Sequence, residues 1–295
     1  MNTPGFSAKV LAHSISQSGV TLMTMEIEYP RFILAELNTH RMLSKNSASS
    51  RAIPVTKLRK HISEYPATPV YWGKNKAGMS ATEEVDDIEF AKRLWNDAKE
   101  WSLLISEAMS DKCDLHKQIA NRITEPFVTM KTVISGTEWA NFYHLRDDPA
   151  AQPEFRVLAR LMREAHDKSI PTLLRAGEWH LPYIEYSRDQ GGKMRYFNDD
   201  KEITLDDAKI ISASCCAQVS YRNLNDSLEK CREIYQRLIG GNPKHSSPVE
   251  HQATPMKDGI DQEGITHMTR DGRLWSGNFC GWIQFRKTIA DEAVW

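Results

Sequence analysis

Near the start of the chain, apolar and polar positions alternate in two short stretches. Within residues 7–14, Val10 and Ala12 alternate with Leu11 and His13, and a second alternation runs over residues 20–29. A period of two residues is typical of a strand with one buried face. Residues 127–135 and 210–221 carry apolar runs without a helical period, and they predict two further strands, the second fully buried.

Helices are predicted where apolar residues recur at steps of three and four. The longest such pattern covers residues 86–112, and its apolar stripe, with Leu94, Trp101 and Ile105, is expected to face the core or another subunit. The pattern predicts helices over residues 31–42, 53–65, 86–112, 116–123, 138–146, 153–166 and 227–239. Residues 44–51 are predicted to be a loop, and residues 170–194 to be irregular.

Strands and helices follow each other without an internal repeat or a low-complexity linker. The pattern therefore predicts an α/β (α+β) fold in which residues 1–295 form a single domain, with a central sheet flanked by a helical layer.

Composition narrows the class of protein. The chain has 295 residues, 40% hydrophobic and 26% charged, with a net charge of −1. Neither a nucleic acid polymer nor a membrane is an expected partner, because the bulk charge is near zero and no apolar run has the length of a membrane span. Five cysteines, with Cys215 and Cys216 adjacent, do not suggest a disulfide framework. With no signal peptide evident, a cytoplasmic location is expected.

One short segment, residues 39–51, concentrates candidate chemistry. It holds two arginines, a histidine, an asparagine and several serines, and no acid. Arginine forks, hydroxyls and backbone amides are the groups that bind phosphate. Taken alone, the composition of the segment favours a serine-rich surface loop with two solvated arginines.

The spacing in this segment, His40-Arg-x-x-Ser-x-Asn-x-x-Ser-x-Arg51, resembles the signature of the flavin-dependent thymidylate synthases. Two other blocks resemble that family. They are Asn141-Phe-x-x-Leu-Arg146, followed by Ala-Gln-x-Glu at 151–154, and the Arg122 block ending in Pro126.

A fourth block, residues 217–251, resembles family segments with a different position in the chain. Its parts are Ala-Gln-Val-Ser, ending at Ser220, and His245-x-Ser-Pro-x-Glu-His251. The family carries the corresponding segments before the signature, so this chain resembles a circular permutation of the fold, which close surface termini tolerate. Read without the family, His245, His251 and the adjacent cysteines invite a zinc hypothesis, although their spacing matches no common metal motif.

The resemblance implies a function. It implies the flavin-dependent thymidylate synthase fold and reductive methylation of dUMP at carbon 5, with FAD as cofactor and methylenetetrahydrofolate and NADPH as co-substrates. It also implies a homo-oligomer, most simply a tetramer with shared active sites. The residues it places at the substrate are Glu36, Ser49, Arg51, Arg122 and Arg146, with Arg146 as the catalytic residue. Those it places at the flavin are His40, Arg41, Asn46, Asn141, Ser220, His245 and Ser247. No metal ligand is implied.

Three positions depart from the family pattern. Thr39 stands where the signature opens with arginine, Ser47 replaces an acid, and Glu36 replaces a glutamine. A carboxylate at Glu36 can accept a hydrogen bond from an exocyclic amine, so cytosine is a possible base. Three alternatives stay open: a dUMP or dCMP hydroxymethylase or methylase for modified DNA, a non-catalytic nucleotide- or flavin-binding homologue, and a zinc hydrolase.

The glycine- and aromatic-rich segment 275–287 has no counterpart in the family pattern. It predicts either a structural plug or a pocket wall on which a flat ring stacks.

Overall fold

A five-stranded sheet carries the signature segment at one edge. A computed structural model of the chain describes residues 3–220, 224–257, 259 and 261–293. Strands β1 (Ser7–Ser16) and β2 (Thr21–Pro30) lie where two strands were predicted, and they pair as an antiparallel hairpin. The other strands are β3 (Ser44–Ser47), β4 (Thr129–Gly136) and β5 (Thr172–Leu174). Their order is β3-β4-β2-β1-β5, and β5 is parallel to β1 while the other pairs are antiparallel.

The helices largely follow the predicted pattern. Their bounds are α1 Leu34–Asn38, α2 Val55–Glu64, α3 Ile88–Asp111, α4 Lys117–Ala120, α5 Ala140–Arg146, α6 Pro153–Lys168, α7 Leu205–Ala217 and α8 Leu228–Ile239. Short 3₁₀ helices cover Arg31–Ile33, Arg122–Phe127, Gln218–Ser220, Ser247–Glu250 and Phe285–Thr288.

Short strands complete the second half of the chain. A three-stranded sheet is made of β6 (Glu185–Arg188), β7 (Met194–Asn198) and β8 (Lys201–Ile203). Strand β9 (Ala253–Pro255) pairs with β13 (Trp282–Gln284), and β10 (His267–Met268), β11 (Leu274–Ser276) and β12 (Phe279–Cys280) form a small meander. The prediction of an α/β fold with a central sheet and a helical layer is confirmed.

Four predicted elements were wrong in part. The helix predicted over 31–42 ends at Asn38, because the Thr39 hydroxyl donates to the Glu36 carbonyl (2.7 Å) and the chain then turns. Residues 44–47 of the predicted loop form strand β3, because they pair with β4. Segment 170–194, predicted irregular, contributes β5, which pairs with the distant strand β1, and β6, which pairs with the next strand β7.

The buried strand predicted over 210–221 is helix α7, which passes into a 3₁₀ turn. Nearly every residue from 211 to 216 is buried, so no polar face interrupts the apolar run to reveal a helical period. Residues 221–223, at the end of that prediction, lie outside the described residues.

The apolar stripe of α3 does not enter the core of the chain. Leu94, Trp101 and Ile105 are 54%, 66% and 47% exposed, while Leu103 and Ser106 face the protein. The core half of that prediction was therefore wrong, and the subunit-interface half stays a prediction.

The two faces of the sheet bury different chemistry, because successive side chains of a strand point to opposite sides. Met25 and Ile27 of β2 belong to an apolar core with Phe155 and Leu158 of α6. The opposite face presents a row of hydroxyls instead, and residues from the second half of the chain cover this row.

Two buried histidines join that row to the second half of the chain. Thr24 Oγ1 lies 2.6 Å from Ser135 Oγ and 2.8 Å from His180 Nε2. His180 Nδ1 lies 2.8 Å from Ser14 Oγ, and Ser135 Oγ lies 2.8 Å from His251 Nδ1. Burial lowers the pKa of both histidines to about 3, so both are neutral at pH 7. The contact is a neutral hydrogen-bond network.

This network predicts acid sensitivity. When the pH is below 6.5, the ordinary histidine pKa, His180 and His251 are protonated in the unfolded chain but stay neutral in the native protein. The free energy of unfolding should therefore fall as the pH drops from 6.5 towards 3, by up to about 1.4 kcal/mol per pH unit for each histidine. Urea denaturation at pH 7 and pH 5 measures this loss.

The matched variant is His251→Gln, because its amide keeps a hydrogen bond to Ser135 but does not titrate. The loss between pH 7 and pH 5 should be smaller in this variant. An NMR titration of the wild-type protein gives an independent measure, and a His251 ring that is protonated at pH 5 in the folded state would contradict the prediction.

Candidate functional site

The guanidinium of Arg146, at the end of α5, meets the end of α1. Arg146 Nε donates to His40 Nε2 at 2.8 Å, and its Nη2 lies 3.5 Å from Thr39 Oγ1. Its Nη1 lies 3.6 Å from a carboxylate oxygen of Glu36. Three predicted site residues, Glu36, His40 and Arg146, therefore form one cluster, with Thr39 between them.

Aromatic rings fix the geometry of this cluster. The Arg146 guanidinium carbon lies 4.7 Å from the centre of the Phe155 ring, and the His40 ring stacks on the same phenylalanine and meets Phe142 edge-on. Burial, with the nearby charges of Arg146 and Lys45, lowers the pKa of His40 to about 4. Neutral His40 accepts the arginine hydrogen bond, and the guanidinium keeps its full charge.

A second cluster forms around Glu125. Its Oε1 accepts hydrogen bonds from Ser50 Oγ (2.7 Å) and Arg122 Nη1 (2.9 Å), and Arg31 Nη2 lies 3.1 Å away. Asn121 Nδ2 donates to the carbonyl of Ser50 at 2.8 Å. These contacts pin the segment that carries Arg122 against the signature segment.

The predicted phosphate ligands Ser49 and Arg51 flank Ser50 in this second cluster. The Ser49 carbonyl accepts from the Ala52 amide at 3.0 Å, which forms a tight turn, and the side chain of Arg51 is exposed. The predicted substrate residues thus divide into two clusters within one chain, one at Arg146 and one at Arg122.

Block 217–251 packs against the signature strand. Asn46 Oδ1 accepts a hydrogen bond from Ser247 Oγ at 3.2 Å, and Asn46 Nδ2 donates to the Cys216 carbonyl. The predicted cofactor residues Asn46 and Ser247 are therefore in contact although they are 201 positions apart.

The other predicted cofactor residues lie farther from these contacts. Asn141 is exposed on α5, Arg41 is exposed in the turn after α1, and His245 is exposed before the 3₁₀ turn at Ser247. Ser220 ends the 3₁₀ helix after α7, and its side chain lies outside the described residues.

Sequence reasoning missed two residues of the C-terminal segment, Asn278 and Gln284. Asn278 Nδ2 donates to the Met42 carbonyl (3.2 Å) and to Ser44 Oγ (3.0 Å). Gln284 Nε2 lies 3.3 Å from the same Ser44 oxygen and 3.0 Å from the Glu250 carbonyl. Asn278 holds the turn that carries His40 and Arg41 through the Met42 carbonyl, and Gln284 ties Ser44 to Glu250.

The segment 275–287 forms the structural plug that was one of its two predicted roles, whereas the wall on which a flat ring stacks stays a prediction. Its aromatic residues Trp275, Phe279 and Trp282 are buried and form a plug, while its polar residues line an open cavity of about 530 Å³ beside the signature. Gly277 is required in this turn. It has a φ of +60°, and an added Cβ would lie 2.8 Å from Gln284 Oε1. The Gly-Asn pair at 277–278 is the sequence signal from which this turn could have been predicted.

The described residues offer no set of ligands for the zinc hypothesis. Within the described ranges, no three histidine, cysteine or acidic side chains form a group that could hold a metal ion. His251 instead serves the buried network beneath the sheet. The helices in the described part of the chain include none that is long and apolar enough to cross a membrane.

Comparison with known families decides the identity. Residues 16–172, more than half of the chain, match the family model described as thymidylate synthase complementing protein. The chain belongs to this family. It is an enzyme, a methyltransferase of the flavin-dependent thymidylate synthase type. The match includes the clusters at Arg146 and Arg122, and it ends before block 217–251 and segment 275–287.

Solved structures of this type share part of the chain path. Thymidylate synthase X from Helicobacter pylori, crystallised with FAD and dUMP, is 18% identical over 49% of this chain and 67% of its own, with a TM-score of 0.35. The UMP/dUMP methylase PolB from Streptomyces cacaoi, bound with 5-Br UMP, is 16% identical over 56% of this chain and 90% of its own, with a TM-score of 0.44. No curated protein matches the sequence significantly.

The contacts of Asn278 predict a stability effect in this thymidylate synthase complementing protein homologue. Replacing Asn278 with alanine removes donors to Met42 and Ser44 and should lower the free energy of unfolding by about 1–3 kcal/mol. Chemical denaturation measures the change. Asn75→Ala, at an exposed loop position, is the control and should change stability little. Equal effects of the two substitutions would contradict the assigned role of Asn278.

Proposed function

We propose that the enzyme transfers a one-carbon unit to carbon 5 of a pyrimidine deoxynucleotide, as reductive methylation of dUMP to dTMP. Methylenetetrahydrofolate would give the carbon and NADPH the electrons, with FAD as the bound cofactor. The observation that carries the proposal is the Arg146 guanidinium, held by neutral His40 beside Glu36, in a chain whose family is established.

Arg146 is the catalytic residue of this proposal. Attack by carbon 5 on an electrophilic carbon is favoured when negative charge on the pyrimidine ring is stabilised, and a fixed cation beside the ring stabilises that charge. Phe155 and His40 restrict the guanidinium without neutralising it, because one is a ring face and the other is uncharged. The cation is therefore oriented before substrate binds.

Ser49, Arg51 and Arg122 are the proposed phosphate ligands. Arg51 and Arg122 are exposed and lie on segments that Asn121 ties together. One nitrogen of Arg122 donates to Glu125, so its remaining N–H groups are available to donate to a phosphate oxygen. Since this cluster and the Arg146 cluster are separate, we propose that complete sites form between subunits of a homo-oligomer, most simply a tetramer. The exposed apolar stripe of α3 supports association.

The proposed flavin ligands are Arg41, Asn46 and Ser247, together with His40, Asn141, Ser220 and His245. Arg41 lines the cavity beside the signature, where amide, hydroxyl and cationic groups together suit a polar cofactor, and the other described ligands of this set are not among its lining residues. When bound, FAD supplies the hydride that reduces the transferred carbon to a methyl group. The protein residues bind and orient it, and the neutral ring of His40 keeps a proton-accepting nitrogen directed at Arg146.

A second candidate reaction rests on Glu36. Its carboxylate lies next to Arg146, at the proposed position of the base, and can accept a hydrogen bond from the amine of cytosine. A dCMP substrate, or a hydroxymethyl product in which water replaces hydride, is the alternative.

Two further proposals concern the chain as a whole. The contact between Asn46 and Ser247 supports a circularly permuted single domain over residues 1–295, with block 217–251 displaced to the C-terminal part. The five cysteines are free thiols, which supports a reducing, cytoplasmic location.

Purified protein should carry or take up FAD and show absorption bands near ~370 and ~450 nm, the mark of an oxidised flavin. With methylenetetrahydrofolate and NADPH it should convert dUMP into a product one methyl group heavier, as measured by mass spectrometry. The same assay with dCMP tests the role of Glu36, and a product heavier by a hydroxymethyl group would favour the alternative reaction. A colourless protein that does not bind added FAD, or a flavoprotein that forms no product from dUMP or dCMP, would overturn the proposal.

Replacing Arg146 with glutamine should lower kcat by roughly 10²–10³-fold, the usual cost of removing a group that stabilises developing charge. Steady-state kinetics on flavin-loaded protein measures the effect. Arg163→Gln is the matched control, since Arg163 is exposed and its ion pair with Asp147 lies outside the cluster. The assignment fails if both variants keep wild-type kcat.

A further inference from the structure

The cavity beside the signature has one wall from outside the family match. Arg41 and Lys45 line it from the signature segment, and Arg286 and Lys287 line it from the C-terminal segment. The matched region ends at residue 172, so the second pair of cations lies outside it.

The charges around this cavity do not cancel. Arg286 pairs with Glu250 and with Glu292, and Lys287 Nζ lies 2.5 Å from Glu292. Four cations therefore meet two carboxylates. Among the described residues, no carboxylate lies within ion-pair distance of Arg41 or Lys45, although the charge of Glu250 on the same cavity acts to raise the pKa of Lys45. A surplus of two positive charges remains at an open, polar surface.

Lys45 is oriented towards the signature turn. Its Nζ donates to the carbonyls of His40 (2.6 Å) and Leu43 (2.8 Å). Partial burial lowers the pKa of this amine to about 8, a cost that a bound anion would offset. The amine holds the turn and its charge remains near the cavity.

We propose that this cavity is an anion subsite that binds a phosphate or diphosphate group of a nucleotide ligand, with Lys287 and Arg286 as ligands supplied by the C-terminal segment. The inference rests on the proposed function for the source of the anion, which is either the diphosphate of FAD or the monophosphate of the pyrimidine nucleotide. Paired carboxylates hold both cations in place, and the unpaired Arg41 and Lys45 supply the attraction.

The arrangement of charges around the cavity is not the one expected if its only role were to stabilise the fold. Glu292 fixes Arg286 and Lys287 to the last described turn, whereas Arg41 extends from the opposite wall without an acidic partner in the described part of the chain. A purely structural cluster would pair its cations, because unpaired like charges that face one another are repulsive. An anion that binds between these cations would offset their repulsion.

Calorimetric titration with inorganic pyrophosphate tests the subsite. The wild-type protein should bind pyrophosphate, and Lys287→Gln should weaken binding roughly tenfold, about the effect of one cation next to a dianion. Arg41→Gln should act in the same direction, and its exposed position makes misfolding less of a concern. The matched control is Lys244→Gln, because Lys244 also contacts the C-terminal segment, at the Ala290 carbonyl, but does not line the cavity. Pyrophosphate affinity that is absent in the wild type, or equal in all four proteins, would overturn the proposal.

Titrations with FAD and with dUMP identify the source of the anion. Weaker FAD binding by Lys287→Gln, with dUMP binding unchanged, assigns the cavity to the dinucleotide, and the converse assigns it to the substrate phosphate. If the wild type binds neither FAD nor dUMP but retains Lys287-dependent pyrophosphate binding, the proposed function fails and the anion subsite stands.

Discussion

The neutral hydrogen-bond network beneath the sheet is the constraint on which the rest of the structure depends. His180 and His251 reach the hydroxyls of Ser14, Thr24 and Ser135 from the far half of the chain. A hydroxyl or imidazole nitrogen that is buried without a partner costs free energy, so these bonds favour the register in which the two halves meet, although His251 Nε2 itself has no partner among the described residues. That register places Ser247 beside Asn46 and Asn278 beside Ser44. The site at the edge of the sheet is thus assembled by a contact that contains none of its predicted ligands.

The proposed catalytic arginine, like the buried network, is held mainly by uncharged groups. Arg146 lies among a ring face, an uncharged imidazole and a hydroxyl, and its nearest carboxylate is 3.6 Å away at Glu36. Partners of this kind orient a guanidinium while most of its charge stays available to a ligand. Thr39, which stands in place of the signature arginine, removes a second cation from the same point. The local charge balance is therefore set by Glu36 and Arg146 together.

The sequence predicted strands β1 and β2 and helix α6, because the hydrophobic period is a local signal. The motif spacing selected His40 and Arg146 as site residues but did not predict their contact. The prediction failed at α7, where burial on nearly all sides erases the helical period, and at β3, where a serine-rich stretch becomes a strand only through pairing with β4. Asn278 and Gln284 were missed for a related reason. Their partners lie more than 200 positions away at Ser44, and one sequence carries no signal for such a contact.

Strand β3 stands at the end of the strand order, and this position has a consequence for solubility. An outermost strand is a template on which another chain can add a strand and begin to aggregate. Here the strand is only four residues long and carries Lys45 and Asn46, and the side chains of Asn278 and Ser247 reach it from another part of the chain. A short, charged and partly covered edge resists such templating. The residues proposed to hold a ligand therefore also protect the sheet against self-association through its edge.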